Sequence, residues 1–201
     1  MRTPLLLFLA LSAPLTFAQQ SGIGIKGGPL MSNTRSGNRS GNWLPGASVG
    51  TYLALRAGPR MEFQPEVLIT SLGAGYSLPD DDRGHVRTLY VQVPLSFKLY
   101  MGNVANVQAG AQMGRLLLAQ QSAGGESTKV TESYESWDYG VILGLGADMV
   151  SGLDLGIRYY SGLRPVLAND QVLFPRNRSL ALSLGYRMSR LRSPKFTRRR
   201  N

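Results

Sequence analysis

The sequence predicts an all-β fold: an eight-stranded, antiparallel, up-and-down transmembrane β-barrel. Three observations predict it. Eight stretches of two-residue periodicity alternate long polar joins with very short turns. The best stretches carry one unbroken apolar parity opposite a parity of small and polar residues. The chain opens on an export-type segment and contains no cysteine. Transmembrane barrels combine short turns at one end with longer loops at the other, and their strands alternate apolar-out with polar-in.

The N-terminal segment is the first element. Arg2 gives a positive start, Leu5–Leu11 a short apolar run, and Thr16-Phe17-Ala18 the small residues of a cleavage site. Together they read as a signal peptide over residues 1–18. The apolar run is too short for a spanning helix, and no later window approaches the roughly 18 to 20 apolar residues that one needs. The barrel is then expected over residues 19–189.

After the signal segment the long joins fall at Thr34–Pro45, Leu72–His85, Gln121–Ser136 and Leu163–Arg178. The short ones are Arg56–Arg60, Gly102-Asn103 and Ser151-Gly152. Between them the parity is clear. In Leu89–Met101 the odd positions are all apolar, from Leu89 through Phe97 to Met101, against Tyr90, Gln92, Pro94, Ser96, Lys98 and Tyr100. Tyr139–Met149 and Leu180–Met188 repeat the pattern. Such alternation is the signature of a strand with one apolar face. Each run is near the 9 to 11 residues or so that cross a bilayer as a tilted strand.

The polar parity decides between a membrane barrel and a soluble one. It is rich in Gly, Ser, Gln and Tyr, with isolated charges of both signs: Lys26, Arg56, Glu62, Glu66, Lys98, Asp148, Asp154, Arg158 and Arg187. A solvated surface carries dense Lys and Glu instead. This set suits a narrow interior in which opposite charges pair, because an unpaired buried charge is costly. Tyr52, Tyr90, Tyr100, Trp137, Tyr139, Tyr159, Tyr160 and Tyr186 lie near strand ends, where interface girdles belong. Pro65 and Pro94 each remove a ladder donor, so local bulges or interruptions are expected there.

The formal charge of +10 is mostly terminal. Arg190, Arg192, Lys195, Arg198, Arg199 and Arg200 lie in a basic tail over residues 190–201. Without these six and Arg2, 15 basic residues face 12 acidic ones. The tail is a candidate for an anionic polymer or a periplasmic partner, through charge alone. Export argues against nucleic acid.

Motifs with chemistry mostly fail on context. Gly22-x-Gly24-x-x-Gly27 matches a dinucleotide fingerprint in letters, but that motif needs a strand before it and a helix after it. Glu62 and Glu66 share a face at roughly 13 Å between α-carbons, too far for a glycosidase pair and better suited to separate interior ion pairs. One histidine cannot build a multi-His zinc site, and thiolate chemistry is absent. Asp80-Asp81-Asp82 with His85 is the one enzyme-like cluster, and its acidic loop also offers hard oxygen ligands for calcium. No catalytic residue, cofactor or metal is assigned.

Several motifs in order resemble a known family. Gly24-Ile25-Lys26-Gly27-Gly28 with Ser32-Asn33 is similar to the opening strand of PorT-like outer-membrane β-barrel proteins, common in Bacteroidota. Phe63-Gln64-Pro65-Glu66-Val67-Leu68 with Ser71-Leu72-Gly73 resembles their third strand, and Tyr90-Val91-Gln92-Val93-Pro94-Leu95 their fourth. Gly156-Ile157-Arg158-Tyr159-Tyr160-Ser161-Gly162-Leu163 resembles the seventh. The likeness spans nearly all of the mature chain and makes both prolines family features. It implies an eight-stranded outer-membrane barrel without a shared catalytic set. The chain departs from many barrels by continuing beyond Met188 instead of ending on an aromatic residue.

Three functions fit these readings. One is a non-enzymatic barrel held by outer-membrane lipid, presenting its loops to a cell-surface partner, with Trp43, Arg35, Arg39, Arg164, Arg176 and Arg178 available to anionic surfaces. Another is a secretion or envelope-assembly component docking a periplasmic partner through its tail. The third is an outer-membrane enzyme using the Asp80–His85 loop. A passive pore is disfavoured because eight strands leave a lumen filled by side chains.

Overall fold

The computed structural model describes residues 21–36, 39–77, 83–123, 126–167 and 175–191. The signal segment, Asp80, Asp81, Asp82 and the tail from Arg192 through Lys195, Arg198, Arg199 and Arg200 lie outside them. Strands are β1 (Ser21–Ser36), β2 (Arg39–Ser40), β3 (Asn42–Arg56), β4 (Met61–Ser77) and β5 (Arg83–Met101). They continue with β6 (Ala105–Ala123), β7 (Glu126–Lys129), β8 (Trp137–Asp148), β9 (Leu153–Gly162) and β10 (Arg176–Leu191).

Eight of these form a ring. Each long strand pairs antiparallel with the next, and β10 pairs back onto β1 from Ser21↔Leu191 to Arg35↔Arg176. Closure leaves no unpaired edge, which is what lets a sheet cross hydrocarbon. No helix among the described residues is long and apolar enough to cross, so the strands are the crossing elements. Strands β2 and β7 are short additions against β1 and β6.

The parity sets the faces as expected. On β5, Leu95, Phe97, Leu99 and Met101 are exposed while Gln92, Ser96, Lys98 and Tyr100 are buried. Leu143, Leu145, Leu182 and Leu184 likewise face outward. In water an apolar outer wall of this extent would be costly; in lipid it is the stable arrangement.

The tight turns fall where the sequence placed them, with Gly102 at φ +82° and Gly152 at φ +96°. Glycine takes these left-handed values without a Cβ clash. The long joins are corrected. Strands β1, β4, β6 and β10 run well into the segments read as loops, so that β4 and β5 are separated only by residues 78–82. Those stretches are short and made largely of small and polar residues, as in Gly73–Ser77, Gln121–Ala123 and Arg176–Arg178, so they show no long apolar parity although they pair. Strand β10 also runs two residues past the expected end of the barrel, which puts Arg190 in a strand and not in the tail.

The prolines interrupt the ladder without shifting it. Between Pro65↔Leu95 and Leu68↔Gln92 two pairings are missing, yet the register is unchanged. Actual register shifts lie elsewhere, at Ile23/Gly24, Trp43/Ala47 and Leu89/Tyr90.

Candidate functional site: a two-storey lumen

Strand β4 climbs the inside of the barrel from the short-turn end to the long-loop end. Its inward succession of Glu62, Gln64, Glu66, Leu68, Thr70, Leu72, Ala74 and Tyr76 covers roughly 46 Å of strand at about 3.3 Å per residue. A similar order holds on β1, from Lys26 through Leu30 to Ser32, whereas β6 brings no inward charge and β8 carries Asp148 and Asp138 at its two ends.

The lower storey is charged. Glu66, 1% exposed, accepts from Arg158 Nη1 at 2.9 Å and Nη2 at 2.7 Å, and from Lys26 Nζ at 3.2 Å. Gln64 donates to the same carboxylate at 2.7 Å, and Gln108 accepts from Arg158 at 3.0 Å. Nearer the short turns, Lys98 Nζ donates to Asp148 at 3.1 Å and to Asp154 at 3.0 Å. Arg187 reaches both oxygens of Glu62, at 3.1 and 3.2 Å. The Tyr100 hydroxyl donates to Asp148 at 2.6 Å, and Arg56 stacks 5.2 Å from the Tyr100 ring. All nine predicted interior charges thus meet in this storey, and Glu62 and Glu66 belong to separate ion pairs. Pairing with several hydrogen bonds is what offsets the loss of water around such groups.

Four expected girdle aromatics are instead interior: Tyr52, Tyr90, Tyr100 and Tyr160 are at most 5% exposed. They share the inward parity; Lys26 Nζ lies 5.6 Å from the Tyr52 ring, and Arg56 lies over that of Tyr100, while Tyr90 joins an apolar cluster. The same ring crosses over Gly24, where any Cβ would collide with it. That close approach, not phosphate binding, accounts for this glycine of the fingerprint, which lies within β1 and precedes no helix. Trp137, Tyr139, Tyr159 and Tyr186 do face outward, joined by Trp43 near one end and the Phe63–Phe97 pair near the other.

An apolar layer of Leu30, Leu72, Tyr90, Leu116 and Ala119 divides the storeys. Beside it lies Asp138, 3% exposed, whose carboxylate accepts from Asn177 at 2.8 Å. Sequence reading missed this residue because one isolated acidic position at a strand start carries no pattern.

The upper storey is hollow. A cavity of about 670 Å³ lies at the long-loop end, bounded by the tall wall of β4, β5 and β6. Its opposite side is a strap of residues 130–136 that turns inward. Val130 N donates to Ala119 O, Leu116 N to Ser136 O and Glu135 N to Val166 O. Tyr134 bridges to Leu167, and Val130 and Tyr134 pack on the apolar layer. Arg164 ties the strap to the segment after β9 through Glu135 at 2.7 Å.

The other predicted binding residues are dispersed. Arg35 and Arg176 pair across the β1–β10 seam and are exposed, Arg178 is partly buried there, and Trp43 is exposed on β3. Arg39 belongs to β2. His85 is on β5 opposite Gly75 and Ser122, not in a loop. No group of three His, Cys, Asp or Glu among the described residues could hold a metal ion.

A closed ring of eight strands with a lipid-type outer face and an ion-paired lumen is the geometry of a small outer-membrane barrel. The family model for an outer membrane protein beta-barrel domain matches residues 17–168. The chain belongs to that family. It is a protein of the bacterial outer membrane. No curated protein matches it significantly. Among solved structures it is similar to Neisserial surface protein A, with 15% identity and a TM-score of 0.53 over 84% of this chain and 99% of that one. It is also similar to Ail, the attachment invasion locus protein of Yersinia pestis, in complex with the heparin analogue sucrose octasulfate. The identity is 15% and the TM-score 0.51, again over 84% of this chain and 99% of that one. These likenesses concern the fold.

Proposed function

We propose that this outer-membrane barrel is a non-enzymatic binding protein that presents its long-loop end to the outside of the cell. One observation carries the reading: the lumen is packed with ion pairs below the apolar layer and hollow above it, at the long-loop end. Such a barrel is braced from within at one end and holds the other end open on a rigid frame. Binding residues are commonly placed on loops held by a rigid scaffold. The ordered likeness to PorT-like proteins supports placing the chain in that branch of the family. The exposed Arg176 and Trp43 at this end support contact with an anionic surface or a cell-surface partner.

Absence of cysteine makes topology directly testable. Single cysteines at Ser133 or Pro175 are expected to react with a membrane-impermeant maleimide on intact cells. Cysteines at Gly58, Asn103 or Ser151 are expected to react only after lysis. The reverse pattern overturns the orientation, and equal labelling of both sets overturns membrane insertion.

A further inference from the structure

The upper cavity differs from the rest of the lumen in chemistry as well as in volume. Its described lining contains no charged side chain, in a chain with 22 lysines and arginines. Nine of its 18 described lining residues carry a hydroxyl or an amide; the others are apolar or glycine. Its volume of about 670 Å³ lies within the roughly 300 to 1,000 Å³ of small-molecule sites.

The polar groups are oriented before any ligand arrives. Gln121 Nε2 donates to the Tyr76 hydroxyl at 2.6 Å, which leaves the Tyr76 proton for another acceptor. Asn177 is held by two neighbours: its amide nitrogen donates to Asp138 at 2.8 Å, and its side chain is hydrogen-bonded to Tyr90. Asn42 adds an amide that both donates and accepts, and Thr88 a hydroxyl that donates to Leu72 O at 3.5 Å and can accept. Tyr134, fixed against the apolar layer, adds a ring beside them. Hydroxyl and amide groups, an aromatic face and no charge among the described lining match a ligand that is rich in hydroxyls, has an apolar face and is itself neutral. An anion would find no cation here among the described residues. A purely apolar guest would strip water from the hydroxyls and amides without replacing its hydrogen bonds, which is costly.

We infer that the cavity between β4–β6 and the inward strap is a binding site for a neutral saccharide of about one to two sugar units. The proposal rests on the reading of the long-loop end as the binding face, and it names the ligand class for that face.

The test is calorimetric titration of the full folded chain in lauryldimethylamine oxide micelles, which present no sugar headgroup. Maltose, lactose and diacetylchitobiose are the neutral probes; sucrose octasulfate and octanol are the anionic and apolar ones. Saturable binding of at least one neutral disaccharide is expected, with none of the other two. Gln121→Ala removes a polar group and Ala74→Phe fills space without removing one; each is expected to weaken binding at least tenfold. Val141→Ala on the outer wall is expected to leave it unchanged. Heat-modifiable gel migration verifies that each variant is folded, and if one fails to fold the other decides. Absence of saturable binding by all three sugars, unchanged binding in a folded cavity variant, or tighter binding of sucrose octasulfate or octanol overturns the proposal. Because micelles have no inside or outside, this result stands apart from the orientation test: sugar binding with inverted topology would sink the orientation alone.

Discussion

Below the layer of Leu30, Leu72, Tyr90 and Leu116, nine charged side chains fill the lumen, and each carboxylate is met by at least one cation. Above it, the described cavity lining is uncharged and encloses empty space. The same eight strands build both halves, so strand geometry does not separate them. The difference lies in which residues hold the inward parity. The lower half uses long, charged side chains that span the lumen and brace opposite walls. In the upper half the inward positions are small or neutral, and the strap replaces bracing from within. Rigidity and reception are thereby assigned to different ends.

The largest expected effect breaks the lower half. Glu66→Ala strands both Lys26 and Arg158 inside the barrel, at a cost of about 3–5 kcal/mol, because a buried charge loses its compensation. Denaturant unfolding in micelles, followed by gel migration, measures it; a loss below about 1 kcal/mol would mean that water enters this storey. Arg187→Met sharpens the same point. Alone it leaves Glu62, fully buried, without its arginine and costs about 3 kcal/mol, whereas Glu62→Met with Arg187→Met restores most of the stability. A double variant as unstable as the single one would show that bracing, not charge balance, is what matters.

Leu143→Arg tests the outer wall shared by both halves. Leu143 is 59% exposed at the middle of β8, and arginine there is expected to cost about 2–4 kcal/mol in a bilayer and much less in a soluble surface. Unfolding in lipid vesicles reads the difference. The smallest effect belongs to the upper half. Arg164→Ala breaks a pair whose side chains are 33% and 28% exposed, worth about 0.2–1 kcal/mol at most. A loss as large as that of Glu66→Ala would mean that the strap braces the barrel and that the two halves are not distinct.

How far the sequence reveals this contrast follows from the same chemistry. The lower storey was legible because its residues recur at period two against unbroken apolar runs such as Leu89–Met101. Strand number, faces and tight turns came with it. The upper ends of the strands read as loops because Gly73–Ser77 and Gln121–Ala123 lack a long apolar run to alternate with. Above the membrane neither face of the wall need be apolar, so the signal disappears while the pairing continues. The cavity was illegible for a further reason. Its lining comes from segments as far apart as Thr34, Gly75, Gln121 and Asn177, which only closure of the ring brings together. Tyr52, Tyr90, Tyr100 and Tyr160 sit inside because parity along the strand, not residue type, decides which face a side chain takes.

The pairing of β1 with β10 has a further consequence. Ser21 and Leu191 are neighbours in space and stand at opposite limits of the described chain. Seven strands synthesised without the eighth would form a ribbon with two bare margins, and hydrocarbon supplies nothing to bond their backbone groups. Entry into the bilayer is therefore withheld from any incomplete chain. The final sixteen-residue strand acts as a licence: until it arrives there is no membrane protein, only a sheet that has nowhere to go.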